Sequence, residues 1–351
     1  MLPVILLLVI SVSGCTGFES IPFIGSFCIP GLTCAQVVEY ENDVLVIKTL
    51  DAVPQTISTG QQLRLSAWIE NRGGETLPQK YFKENFQGYY AEDIRIELYD
   101  TCEGLFEKIE VTCPPDATPT DKNKGCWIKT ILPKQTIPIS WILVANKQDK
   151  IPLETSCNLK VYIHYPYQTK SITSISFVDY TEMQRMIDEG KFKPITSYIT
   201  EGFGPIKPYL TVEDTQPIPV RNGVDSTFAM AFQVKNKGSG FLSSLRCERD
   251  YQGECTGTGA KYMIKIANPD DIEITSNTPR YDIGSKVKDK VTSIGDIQLI
   301  GTESPKQPFS IDAPTKNQVE KIATYYVTTS IAYLYEFRKE IKVTIKPPKI
   351  F

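Results

Sequence analysis

Residues 62–74 read QLRLSAWIENRGG. Leu63, Leu65, Ala67 and Ile69 fall on one side of an extended chain, and Arg64, Ser66, Trp68 and Glu70 on the other. A period of two is the strand period, and it predicts a sheet with one buried face. The Asn71-Arg72-Gly73-Gly74 run that follows marks a turn, because Asn and Gly tolerate left-handed backbone angles.

The same pattern returns about 165 residues later. Residues 227–238 read TFAMAFQVKNKG, so Phe228, Met230, Phe232 and Val234 meet Leu63, Leu65, Ala67 and Ile69. Asn71 meets Asn236, Gly73 meets Gly238, and Pro54 meets Pro219. After a small change in offset, Trp141, Leu143 and Ala145 meet Phe309, Ile311 and Ala313. Ile163 and Tyr165 then meet Ile331 and Tyr333, and Ile175 and Phe177 meet Val343 and Ile345. A slip of one residue would turn each strand inside out, so a register kept over several strands signals an internal repeat. Short alternating strands between turns predict an all-β chain of two tandem immunoglobulin-like sandwiches.

The Asn-x-Gly turns after the early strand of each repeat resemble the CARDB-like group of immunoglobulin-like domains. These occur in tandem on prokaryotic surface proteins, archaeal lipoproteins among them. The resemblance implies a seven-stranded sandwich with adhesive or spacer roles and carries no catalytic residues. It covers strands of both repeats, on a short motif.

Around this repeat the chain divides into residues 1–15, a signal or anchor, and 16–40, a Gly/Pro/Ser/Thr-rich tether. Residues 41–178 are read as the first sandwich, 179–208 as a helix and linker, and 209–351 as the second sandwich. In the linker, residues 181–190 (TEMQRMIDEG) read as a short helix closed by glycine, with Met183, Met186 and Ile187 as an apolar stripe packed on a domain. A helix there predicts a fixed interdomain angle.

The N-terminus begins MLPVILLLVISVSGC. Its apolar run matches the h-region of a secretory signal, about 7–15 residues, and is shorter than the about 20 residues of a comfortable membrane span. Val12-Ser13-Gly14-Cys15 resembles a lipobox, which implies a lipid on Cys15. The n-region carries no Lys or Arg, a departure from that pattern; an uncleaved anchor or a plain cleaved signal are the alternatives. All three place the body outside the cytoplasm.

Nine cysteines fit that compartment. With Cys15 lipidated, Cys28, Cys34, Cys102, Cys113, Cys126, Cys157, Cys247 and Cys255 remain for disulfides. Cys28/Cys34 and Cys247/Cys255 bracket local loops, while the central four allow three connectivities. None has the CxxC spacing of a zinc site, so no metal and no cofactor is expected.

Among 351 residues with a net charge of −3 there is a single histidine, His164, expected on a solvated strand face. No nucleophile elbow, HExxH, Walker loop or dinucleotide fingerprint is present. The chain is therefore read as a non-enzyme without affinity for nucleic acid. Loops are the better candidates for function. Residues 79–93 carry Tyr81, Phe82, Phe86, Tyr89 and Tyr90, an aromatic density suited to a protein or glycan partner, or to a satellite core under the loop. The expectation is a lipid- or membrane-anchored surface module that adheres, presents a ligand or acts as a spacer. An accessory subunit of an envelope secretion or appendage complex is the alternative, and a hydrolase of surface polymers the remote one.

Overall fold

The structure is a computed structural model. It describes residues 42–79, 94–100, 102, 104–120, 124–147, 153–221, 227–243, 261–267, 274–275, 290–296, 299–314, 319 and 321–347. Residues Met1–Glu39 all lie outside this set, and the described residues form one compact body.

The first repeat contributes β1 (Leu45–Val53), β2 (Thr56–Ser58), β3 (Gln62–Asn71), β4 (Ile94–Asp100), β5 (Phe106–Thr112), β6 (Ala117–Pro119), β7 (Gly125–Ile128), β8 (Thr136–Ala145) and β9 (Thr155–Asp179). Helix α1 (Tyr180–Asp188) follows. The second repeat contributes β10 (Ile199–Glu201), β11 (Ile206–Val212), β12 (Ile218–Val220), β13 (Thr227–Asn236), β14 (Phe241–Ser243) and β15 (Lys261–Ala267). It closes with β16 (Ile274–Thr275), β17 (Lys290–Asp296), β18 (Gln307–Asp312) and β19 (Ile322–Lys346).

Two four-stranded sheets have matching orders, β1-β3-β8-β5 and β11-β13-β18-β16. The repeat read from sequence is thus a repeat of strand order. The alternating residues point inward as expected: Leu63, Leu65, Ala67 and Ile69 are buried, as are Phe228, Met230, Phe232 and Val234. The order first-second-fifth-fourth is that of one sheet of an immunoglobulin-like sandwich, whose other sheet holds the third, sixth and seventh strands.

That other sheet is shared. It runs β17-β15-β19-β9-β4-β7-β6, with β9 and β19 antiparallel from Ile322↔Val178 to Ile345↔Thr155. In the first repeat β4 and β9 occupy the third and sixth positions, and the seventh is filled by the distal part of β19. In the second repeat β15 and β19 occupy those positions, and the seventh is filled by the distal part of β9. The short parallel strands agree: β2 pairs with Thr344–Lys346 of β19, and β12 with Phe177–Asp179 of β9. Each repeat therefore donates the extension of its sixth strand to the other as a seventh. A run of 25 residues in one strand, against a typical about 5–6, exists because it serves two sandwiches.

Four tyrosines sit where the long strands cross. Tyr165 lies opposite Tyr335, and Tyr167 opposite Tyr333. Their ring centroids are 5.7 and 6.1 Å apart in edge-on contacts, the geometry aromatic quadrupoles favour. Burial is the main cause that pushes all four hydroxyls above their ordinary range, so they stay neutral. Tyr333 and Thr169 hydroxyls are 2.7 Å apart, and Tyr335 donates to Asn236 Oδ1 at 3.1 Å.

The Asn-x-Gly turns form in both repeats, for a reason the sequence reading did not supply. Neither Gly73 nor Gly238 has a positive φ. Instead the Asn side chains organise the turns: Gly73 N donates to Asn71 Oδ1 at 2.9 Å, and Gly238 N to Asn236 Oδ1 at 3.0 Å. The glycines are required by close approach. A Cβ on Gly238 would lie 2.4 Å from both Asp43 Oδ1 and the Tyr335 hydroxyl. Asp43 accepts there from Ser239 N at 3.0 Å and from Ser239 Oγ at 2.5 Å, and Asn42 Nδ2 donates to Lys237 O at 3.4 Å. The start of the first repeat is thereby held by the turn of the second.

Helix α1 is capped by Asp179, whose carboxylate accepts from Thr181 N and Glu182 N, and Gly190 closes it at φ 65°. Its apolar stripe differs from expectation. No helix residue is buried, and Ile187 is 46% exposed, because only one flank of the helix meets β9 and β12.

Candidate functional site

Even-numbered residues of β9 and β19 point away from the core. On that outer face, pairing registers bring one row across five strands: Trp127, Arg95, His164, Glu336 and Phe241. Alternation of each strand dictates which face these side chains take, and the strand order decides who stands beside whom.

The row is tightly coupled. The Arg95 guanidinium lies 5.4 Å from the Trp127 ring centroid, and Arg338 lies 3.9 Å from that of Phe241. His164 Nδ1 is 3.6 Å from Glu336 Oε2, and Arg95 Nε is 3.5 Å from Glu97 Oε2. Tyr162 stacks on His164 at 6.2 Å and meets Tyr99 at 4.6 Å. Burial raises the Glu336 carboxyl above the ordinary carboxylate range, against the opposing pull of Arg338 and Arg95.

His164 is not the solvated surface residue expected from sequence. Its side chain is 12% exposed, because Arg95 and Glu336 stand on either side of it. The sequence shows that Glu336 and Arg338 alternate outward, but not that β7, β4, β9, β19 and β14 lie side by side, the pairing that brings Arg95, Trp127, Glu336, Arg338 and Phe241 to His164.

Of the residues singled out from sequence, the central cysteines are joined as Cys102–Cys157 and Cys113–Cys126. The first bond ties the segment after β4 to β9, and the second ties the end of β5 to β7. Cys15, Cys28, Cys34, Cys247, Cys255 and the aromatic set Tyr81, Phe82, Phe86, Tyr89 and Tyr90 lie outside the described residues. The root of the aromatic segment is described: buried Gln79 accepts from Gln168 N at 2.6 Å and donates to Glu75 Oε2 at 2.8 Å.

Among the described residues no group of three or more His, Cys, Asp or Glu is placed to hold a metal ion. No described helix is long and apolar enough to cross a membrane. The arrangement sets aromatic rings, guanidinium groups and carboxylates side by side on one sheet face, with Phe241 45% exposed and the Arg95, Glu97, His164 and Glu336 side chains largely covered.

Fold and pairing define an all-β chain of two immunoglobulin-like sandwiches with disulfide-pinned connections. No family model matches the chain, and no curated protein matches it. Solved structures that align with it include the collagen adhesin from S. aureus, at 9% identity over 87% of this chain and 94% of that one, with a TM-score of 0.12. Another is the collagen binding domain of the Erysipelothrix rhusiopathiae surface protein RspB, at 8% identity over 88% and 94%, with a TM-score of 0.11. A third is the Enterococcus faecalis MSCRAMM ACE, described as binding its ligands by the collagen hug, at 9% identity over 87% and 96%, with a TM-score of 0.12. The fold is defined by the chain's own strand order, β1-β3-β8-β5 and β11-β13-β18-β16 about a shared sheet.

Proposed function

We propose that the chain is an exported surface module, held at the outer face of the cell membrane by its N-terminus and acting there as an adhesive, ligand-presenting or spacer element. The anchor in this reading is a lipid on Cys15 or the uncleaved apolar segment before it. The observation that carries the reading is the pairing of Cys102 with Cys157 and Cys113 with Cys126. Such bonds persist in oxidising compartments and are rare in reducing ones. The reciprocal exchange of seventh strands supports a presenting or spacer role, since it joins the two sandwiches through a continuous sheet. Residues 79–93, with Tyr81, Phe82, Phe86, Tyr89 and Tyr90, are proposed as a binding tip because their root at Gln79 is buried and hydrogen-bonded. The CARDB-like resemblance is compatible with this role.

Intact mass measured without reduction, on protein extracted from membranes, tests the reading. It reports the N-terminal lipid, the cleavage point and the number of disulfides together. Free thiols at Cys102, Cys113, Cys126 and Cys157 in freshly extracted protein refute export.

The half-covered stripe of α1 favours a second reading, an accessory subunit docked through Ile187. A stoichiometric partner in detergent extracts, lost on Ile187→Asp, distinguishes it.

A further inference from the structure

The two long strands are edged alike except at one place. Their antiparallel pairing is symmetric about Pro166 and Leu334, so the shift that takes Ile175 to Val343 also takes Ser171, Ile172 and Thr173 to Lys339, Glu340 and Ile341. The first strand of each sandwich meets its seventh in the same way: Ser171 Oγ donates to Pro208 O at 2.5 Å, and Lys339 Nζ to Ile47 O at 3.3 Å. The turns hold the entering chain in the same way: Lys237 N donates to Pro205 O at 2.7 Å, and Arg72 N to Val44 O at 2.8 Å. In the short parallel strands, Ile218 stands opposite Phe177 and Ile57 opposite Ile345. A single shift therefore takes Val44, Ile47 and Ile57 to Pro205, Pro208 and Ile218.

β10 breaks the match. Its Ile199, Thr200 and Glu201 stand opposite Thr173, Ile172 and Ser171 of β9. Ser174 N donates to Tyr198 O at 2.9 Å, and Gly202 N to Lys170 O at 2.8 Å. Even-numbered residues of β9 thus turn their backbone groups toward β10, and odd-numbered ones toward β19. Even-numbered residues of β19 likewise face its far edge, where β14 ends opposite Glu336 and Thr344 N donates to Gln55 O at 2.9 Å. Between those two points the backbone N–H and C=O of Glu340 and the N–H of Lys342 face the edge, and no strand among the described residues pairs with them. An open edge is a template for another strand. The shift that takes Val44 to Pro205 takes residues 38–40 to Ile199–Glu201. Those residues lie outside the described set, just before Asn42, and Val37-Val38-Glu39-Tyr40 is rich in the β-branched and aromatic residues that strands favour.

We propose that this edge is a docking site for the chain's own N-terminal tether, whose residues 37–40 add to β19 as an antiparallel strand. Val38 stands opposite Ile341, Glu39 opposite Glu340 and Tyr40 opposite Lys339. Glu39 then exchanges both backbone hydrogen bonds with Glu340, and Lys342 N donates to Val37 O, as Ser174 N does to Tyr198 O. Val38 covers the half-buried Ile341, and Glu39 projects between Arg338 and Lys342, whose charges offset the opposing Glu340. Proximity favours the tether as occupant. Asn42 Nδ2 donates to Lys237 O, and Asp43 accepts from Ser239, so the chain is already fixed at the turn and little loop-closure entropy remains to be lost. A second copy fits the edge poorly, since antiparallel self-pairing about Glu340 sets Glu340 against its own counterpart and Arg338 against Lys342. The proposal goes beyond the surface-module reading and does not depend on export.

Hydrogen exchange read at single amides of the full chain in detergent tests it. The Glu340 and Lys342 amides exchange slowly, within about tenfold of the Ile172 amide that faces β10. Glu39→Pro removes a donor and bars the strand, and it speeds both amides at least about tenfold. Lys339 and Ile341, whose amides face β9, stay protected in that variant and report an intact sheet. Glu39→Thr, which installs the residue type that β10 carries at the matching position, leaves both amides slow. Fast exchange at Glu340 and Lys342 in the natural chain overturns the proposal. Protection that survives Glu39→Pro, or that fades on dilution, gives the edge to a different occupant and overturns it too. Free thiols at the four central cysteines with both amides still slow would remove the export reading alone.

Discussion

A chain cut to residues 41–208 tests the exchange of strands directly. This fragment keeps β1 to β9 and α1 but loses the distal part of β19, the seventh strand of the first sandwich. Four side chains of that segment, Tyr335, Phe337, Val343 and Ile345, are buried to 2% exposure or less. At about 1.5–3 kcal/mol for each fully buried side chain, their loss costs roughly 6–12 kcal/mol. A domain's whole stability is about 5–15 kcal/mol. The deletion also removes Lys339, whose Nζ donates to the carbonyls of Ile47 and Lys48 at 3.3 Å, and it bares the edge of β9. The fragment is therefore expected to be unfolded or aggregated. Addition of a peptide covering residues 322–346 should restore cooperative structure by strand complementation. Circular dichroism and urea titration, with and without peptide, measure both effects. A fragment that folds alone to within about 2 kcal/mol of the same region in the intact chain would refute the reasoning.

Lys207 offers a pH test. It is 3% exposed, its ammonium donates to Gly202 O, and burial brings its pKa down to about 8 despite the nearby Glu201 carboxylate. The folded value lies below the unfolded about 10.4, so the unfolded chain holds a proton that the fold sheds between those values, and stability rises with pH through that window. Relative to Lys207→Met, the natural chain should gain about 2–3 kcal/mol between pH 7 and 10 in urea titrations; equal slopes would count against the assignment. Gly238→Ala drives a methyl into Asp43, Tyr335 and Pro205 and should cost about 3 kcal/mol, whereas Gly74→Ala, with nothing within 4 Å, should change stability by less than about 0.5 kcal/mol; thermal melts decide. Loop-closure entropy ranks the disulfides: replacing Cys102–Cys157, separated by 55 residues, by serines should cost about 4 kcal/mol, against about 3 for Cys113–Cys126, separated by 13, and a reversed order in denaturant midpoints would contradict it.

Much of the fold could be read from local chemistry. The alternation in Gln62–Asn71 and Thr227–Asn236 specified which faces are buried, because side-chain direction in a strand depends only on parity. The helix after Asp179 was readable from its closing glycine, a local backbone choice, while the Asp179 cap emerged only in the structure. The His164 row was not readable. Parity places Arg95, His164 and Glu336 on an outer face, but their meeting depends on pairings across large sequence separations. The role of Gly238 was hidden for the same reason, since the atoms that crowd it come from Asp43, Pro205 and Tyr335.

By itself, then, the amino-acid order determined the β class, the twofold repeat and the inward residues of each strand. These follow from alternation and turn chemistry, which act over a few neighbours. Only the tertiary structure decided that β9 and β19 run through both sandwiches, that the four cysteines pair as Cys102–Cys157 and Cys113–Cys126, and that β10 lies along β9. Those are choices among strand partners that are equally apolar and equally alternating. Simultaneous burial of both cores selects among them, a condition no single segment carries.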